Sequence, residues 1–310
     1  MSGHVRLPCL LGTVASRTVE FRIGPADNLL MNRTASFSIA LAILALLASL
    51  AVAQEAKPAI PSDGDNAAAA LAASTRHGEW ADVALPGGDT KIKSWVVYPE
   101  RADKAPVVLV IHEIFGMTDW VRGVADQLAA EGFIAVAPDL LSGKGPGGGG
   151  TESFEGDKAR EAIRLLQPDE VTARLNAVRD YALALPAAGG KTGVVGFCWG
   201  GSQVWNYAVR QPGVNAAVAY YGSGPTEAAD YAKITCPVLG LYGSDDARVN
   251  AMIETSEKAM SAAGKSYSKT VFEGAGHGFL RQQTARDGAN QKAATAAWTQ
   301  TLAFFKKNLQ

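Results

Sequence analysis

Gly196-Phe197-Cys198-Trp199-Gly200-Gly201 is the stretch that decides the fold. It follows Gly193-Val194-Val195, the end of an aliphatic run typical of a strand buried on both faces, and it opens a helical stretch from Gly200 to Arg210. A strand that turns into a helix through Gly-x-nucleophile-x-Gly forms a sharp elbow. The turn strains its central residue, and the small flanking residues let the two backbones pass closely. Cysteine stands here where serine is usual. Cys198 would sit at a helix N-terminus, where orphan N–H groups and the helix dipole favour a thiolate. A lone cysteine is ordinarily a small buried hydrophobe, but this context points to a nucleophile. Cys236, in Ile234-Thr235-Cys236-Pro237-Val238 before another strand, reads as core.

Outward from the elbow, strands and helices alternate. Strand patterns occupy Lys91–Tyr98, Val107–Ile111, Phe133–Ala137, Thr192–Phe197, Ala216–Tyr220, Val238–Tyr242 and Lys269–Phe272, and Leu85-Pro86-Gly87-Gly88-Asp89 is a turn closing a hairpin. Helical patterns cover Trp120–Glu131, stopped by Gly132, then Glu152–Leu166, Asp169–Leu185 and a long segment from about Ala285 to the end. Such alternation predicts an α/β protein with a mainly parallel central sheet and helices on both faces. The glycine-rich run Ser142–Gly150 reads as a flexible surface linker. Against a phosphate cradle, it lacks the Gly-Lys-Ser/Thr ending that such a loop needs before its helix.

Composition narrows the function classes. The chain has 310 residues, 29 Lys+Arg against 30 Asp+Glu, and a formal net charge of −1, so no basic excess argues for nucleic-acid binding. Hydrophobic residues make up 47% and charged residues 19%, a globular balance. Three cysteines exclude a disulfide-dense scaffold, and no Cys-x-x-Cys or His/Cys cluster suggests a metal site.

At the front, Phe37–Ala53 is an apolar run ending in Ala51-Val52-Ala53, with Arg33 just upstream. A basic start, a short apolar core and an A-x-A end describe a secretory signal peptide. An uncleaved anchor is the competing reading, for a run near the lower limit for crossing ~30 Å of hydrocarbon. Met31 is the expected initiator, which makes residues 1–30 an upstream extension of the reading frame and 31–53 the signal peptide. Residues 54–76 are then a flexible leader and 77–310 the folded domain, periplasmic or secreted, with no stable membrane anchor after cleavage.

Partners for Cys198 follow it in the chain. Gly243-Ser244-Asp245-Asp246 ends a strand with two carboxylates, and Gly274-Ala275-Gly276-His277-Gly278-Phe279 ends the next in a glycine-rich turn. The order nucleophile, acid, histidine is that of the α/β-hydrolase triad. Histidine takes or shares the thiol proton, and the acid fixes its tautomer. With His4 set aside, His277 competes only with His77 and His112, and Asp245 competes with Asp246.

Glu113-Ile114-Phe115-Gly116, Pro138-Asp139-Leu140, the elbow, Tyr220-Tyr221-Gly222 and Ala275–Phe279 together resemble the dienelactone hydrolase family, from about Glu79 to the C-terminus. The resemblance implies a single-domain α/β-hydrolase fold, a Cys-His-Asp triad, hydrolysis of small esters or lactones through an acyl-enzyme, and no cofactor or metal. It places the acid on Asp246, through Gly243-Ser244-Asp245-Asp246-Ala247-Arg248-Val249, and a glutamate that pairs with the resting thiol on Glu113. It puts the oxyanion hole at the amides of Ile114 and Trp199. It assigns Arg281 and Arg160 to a substrate carboxylate, so an anionic substrate is expected. A family tyrosine beyond Arg160 is replaced by Arg164. Arg160 also reads as a solvated helix charge. The expected partner is a small molecule and the expected state a monomer. The alternative to an enzyme is a non-catalytic, thiol-bearing binding protein on the same scaffold.

Overall fold

The structure, a computed structural model, describes residues 59–310. The expected upstream extension, the signal peptide and the first residues of the leader lie outside the described residues. Eight strands form one sheet: β1 (Gly78–Ala84), β2 (Lys91–Val97), β3 (Ala105–Ile111), β4 (Ile134–Pro138), β5 (Ala188–Phe197), β6 (Ala216–Tyr220), β7 (Val238–Gly243) and β8 (Tyr267–Phe272). Their order is β1-β2-β4-β3-β5-β6-β7-β8. β1 pairs antiparallel with β2, and β2 antiparallel with β4. From β4 through β8 every pairing is parallel. The burial follows this order. All seven residues of central β3 are buried, whereas edge strand β1 buries only Val83, as expected of strands covered on two faces or one.

Among the described residues the helices are α1 (Ala67–Ala72), α2 (Asp119–Ala130), α3 (Lys158–Leu165), α4 (Pro168–Ala184), α5 (Trp199–Arg210), α6 (Ala228–Tyr231), α7 (Ala247–Asn250), α8 (Ile253–Ala262) and α9 (Ala289–Leu309). They cover both faces, and two apolar cores result. Val124 and Leu128 of α2 join Trp298 and Phe305 of α9 on one face. Leu175 and Val178 of α4 join Val204 and Trp205 of α5 on the other. The mainly parallel sheet with helices on both faces is the architecture that the alternation predicts.

Four local expectations are corrected. From Pro61 onward the supposed flexible leader is docked on the domain. The Asp63 carboxylate accepts from the amides of Gln283 (2.7 Å) and Thr284 (3.3 Å), Gln283 Nε2 donates to Pro61 O (2.7 Å), and Trp120 Nε1 donates to Ser62 O (3.1 Å). Ala67 is buried. Further on, Ser74 Oγ and Arg76 Nη2 donate to Asp126 at 2.5 and 2.7 Å. The glycine-rich linker is likewise anchored at both ends. Ser142 Oγ accepts from Lys93 N (3.0 Å), and Asp139 accepts from the amide and the hydroxyl of Thr151, both at 2.7 Å. The single helix expected over Glu152–Leu166 is a 3₁₀ turn, Thr151–Ser153, and then α3, parted by Gly156 at φ 55°. The C-terminal helix begins at Ala289, after a 3₁₀ turn over Arg286–Gly288.

Candidate active site

Because β3 and β5–β8 run parallel, their C-terminal ends share one edge of the sheet. Ile111 pairs with Gly196, Phe197 with Tyr220, Tyr220 with Leu241 and Gly243 with Phe272. The residues just beyond these ends are Glu113, Cys198, Tyr221, Asp246 and His277. This edge is where ligands bind in open α/β sheets.

Cys198 stands at the N-cap of α5 with φ 57° and ψ −117°, a backbone state that costs an ordinary residue about 1–3 kcal/mol. The glycines around it are required by close approach. A Cβ on Gly196 would lie 2.3 Å from Gly200 O, and one on Gly200 would lie 2.4 Å from His112 O. The elbow therefore presses the start of α5 against the end of β3, which brings Trp199 beside His112 with ring centroids 5.6 Å apart.

Of the two carboxylates after β7, Asp246 is buried and accepts from His277 Nδ1 at 2.5 Å. Asp245 is exposed and binds Arg286. Burial resists charging of His277, yet its hydrogen bond to Asp246 and the neighbouring Cys198 outweigh it, and its pKa rises to about 9. Tyr221, left-handed at φ 38°, packs on this imidazole with ring centroids 5.1 Å apart.

Glu113 departs from expectation. Its buried carboxylate accepts from Arg281 Nε at 2.6 Å, and among the described residues it makes no hydrogen bond to Cys198. A charge in so dry a position is best met by a full opposite charge, and a neutral thiol offers less than a guanidinium. Burial pushes the Glu113 carboxyl upward and Arg281 pulls it back. Arg281 thus stands where the sequence puts it, but engaged. Arg160 Cζ lies 4.7 Å from the Phe115 ring centroid and Arg281 Cζ 4.8 Å from it. Arg160 also donates to Asp157 at 2.9 Å, and its Nε is buried without a partner.

Cys198, His277, Glu113 and both arginines line one cavity of about 560 Å³. Ile114 and Trp199 line it too, and among the described residues neither backbone amide donates to a protein acceptor. His112 is wholly buried. Its Nδ1 bonds to Glu113 O at 2.8 Å and its Nε2 accepts from Leu140 N at 3.2 Å, so it braces the loop and burial lowers its pKa. Sequence reasoning missed Arg248, which reaches the cavity from α7, and named Tyr221 only within a motif. Nothing local marks Arg248, because only the placement of α7 turns it toward the cavity. The described residues include no group of three or more His, Cys, Asp or Glu side chains that could hold a metal ion.

A mostly parallel eight-stranded sheet, an elbow cysteine and a His–Asp pair at the strand ends define an α/β-hydrolase fold. The family model described as "Dienelactone hydrolase family" matches residues 92–309, and the chain belongs to that family. The chain is 32% identical over 264 residues to the "Putative carboxymethylenebutenolidase" of Salmonella typhimurium, covering 79% of this chain and 95% of that protein. It is 27% identical over 251 residues to the "Probable 2-oxo-3-(5-oxofuran-2-ylidene)propanoate lactonase" of Bradyrhizobium sp, covering 77% of this chain and 98% of that one. A crystal structure from Klebsiella pneumoniae, titled "Putative Dienelactone Hydrolase", superposes with a TM-score of 0.67 at 28% identity. It covers 76% of this chain and all of that one.

Proposed function

We propose that the protein hydrolyses small ester or lactone substrates, preferably anionic ones, with Cys198 as nucleophile. The observation that carries this reading is Cys198 on a strained elbow beside a histidine whose charged form Asp246 favours. Cys198 and His277 share one proton, and with that proton on His277 the thiolate Sγ attacks the acyl carbon. The carbonyl π electrons move to oxygen, and the amides of Ile114 and Trp199 receive that oxyanion. Collapse breaks the acyl C–O bond and leaves a thioester, while the departing oxygen takes the proton from His277. Water, deprotonated by His277, then attacks the thioester, releases the acid and restores the thiol. An anion drawing Arg281 to itself frees the Glu113 carboxylate, which then helps to draw the shared proton off the thiol and onto His277. The substrate's own charge would thereby trigger activation. The presence of a lactonase and of carboxymethylenebutenolidases among the relatives supports a lactone substrate.

The test is a hydrolysis screen of the purified protein against 4-nitrophenyl esters and enol-lactones. The expected result is turnover, with an initial burst approaching one nitrophenolate per chain where deacylation is slow. A protein that binds these compounds but gives neither turnover nor burst would be a thiol-bearing binding protein and would overturn the reading.

A further inference from the structure

The cavity over Cys198 carries more positive charge than one carboxylate requires. Four guanidiniums line it, those of Arg160, Arg164, Arg248 and Arg281, and Glu113 is the one carboxylate that lines it with them. Glu113 engages Arg281, and the exposed Asp157 engages Arg160 from outside. Arg164 and Arg248 have no ion-pair or hydrogen-bond partner among the described residues. Arg164 lies one turn beyond Arg160 on α3, and so presents a second guanidinium on the same helical face. Arg248 comes from the other side, two residues after Asp246.

We propose that this cavity selects a substrate bearing two anionic groups, with Arg164 and Arg248 as the specificity-determining residues for the second. One anionic group meets Arg281 and Arg160 beside Phe115, and the other meets the rim. The inference rests on the ester-hydrolase reading above and names its substrate class, a small ester or lactone that is a dicarboxylate. Arg164 and Arg248 are exposed, so their attraction is screened by salt and acts mainly on capture, which places it in kcat/KM.

Three activated esters of similar size separate the possibilities: 4-nitrophenyl butyrate (neutral), 4-nitrophenyl hemisuccinate (one carboxylate) and the 4-nitrophenyl monoester of tricarballylic acid (two carboxylates). At low ionic strength the wild type is expected to prefer the dianion over the monoanion by about 10-fold or more in kcat/KM, a margin that shrinks in 0.5 M salt (roughly a 4 Å screening length). In the double variant Arg164→Gln, Arg248→Gln the dianion is expected to lose about 10-fold more than the neutral ester. Equal kcat/KM for the mono- and dianionic esters, or an equal loss on all three, would overturn the proposal. If none of the three is cleaved, the hydrolase reading fails on its own. Calorimetry with tricarballylate against butyrate then decides the anion subsite separately. Tighter binding of tricarballylate that the double variant loses sustains the subsite, and indifference to charge overturns it.

Discussion

Cys198 and Cys236 carry the same thiol in opposite surroundings. Cys198 is partly exposed in the cavity beside His277, whereas Cys236 is 5% exposed and burial pushes its thiol up to about 11. Cys198→Ala is expected to lower kcat/KM on an activated ester by at least about 10³-fold. Cys236→Ala should keep activity within about threefold, at a modest loss of stability. Steady-state assays beside thermal melts check both, and a fully active Cys198→Ala would sink the mechanism. The neighbouring aspartates make a second contrast. Asp246→Asn removes the acceptor that orients His277 and is expected to cost about 10²-fold or more in kcat. Asp245→Asn touches an exposed pair with Arg286 and is expected to cost little, on the scale of surface ion pairs, about 1 kcal/mol or less. Equal losses in the two variants would mean that the acid has been misassigned.

At the scale of elements, the segment Pro61–Ala72 acts on the site from a distance. Gly64 N donates to Arg281 O (2.8 Å), and Asp63 holds the next amides, Gln283 and Thr284. The loop that carries His277 and Arg281 is thus clamped by chain that precedes the first strand. Asp63→Ala deprives two amides of a charged acceptor and is expected to cost about 1–3 kcal/mol of stability. Urea unfolding measures that cost. Kinetics on an anionic ester should show a larger rise in KM than fall in kcat, because Arg281 is loosened while the elbow is untouched. Unchanged stability and KM would mean that the segment merely rests on the surface.

For the whole molecule, the charge on His277 links stability to pH. Its folded pKa, about 9, lies above the ordinary value of 6.5, so the folded state holds the proton more tightly. The stabilisation is complete below about pH 6.5 and is lost as pH rises through about 9. A third of this side chain meets solvent, and after discounting for screening the effect is on the order of 2 kcal/mol. The stability gap between wild type and Asp246→Asn is therefore expected to narrow from pH 6 to pH 9.5 in denaturant titrations, and a gap independent of pH would contradict the pairing. Export belongs to this scale too. We propose cleavage after Ala53, where small residues occupy the positions that a signal peptidase reads. N-terminal sequencing of the protein from its native compartment is expected to begin at Gln54, and a retained apolar segment would refute it.

The sequence by itself determined the parallel core and the elbow. Aliphatic runs such as Val107–Ile111 mark strands buried on both faces, and the glycines beside Cys198 answer a local steric demand that shows in neighbouring letters. It also determined which residues gather at the strand ends, because in a parallel sheet the position after each strand fixes the edge on which a side chain emerges. The tertiary structure alone decided how those residues pair. Glu113 and Arg281 lie 168 positions apart, and only folding sets a guanidinium beside that carboxylate in place of the thiol. The spacing of the family motif already points to Asp246 over Asp245, and the structure supplies the physical reason, burial against His277 for the one and capture by Arg286 for the other. The leader and the glycine-rich run read as flexible because their composition offers no periodicity. What holds them is hydrogen bonding to Gln283, Asp126, Lys93 and Asp139, groups brought within reach only once the sheet and its helices are in place.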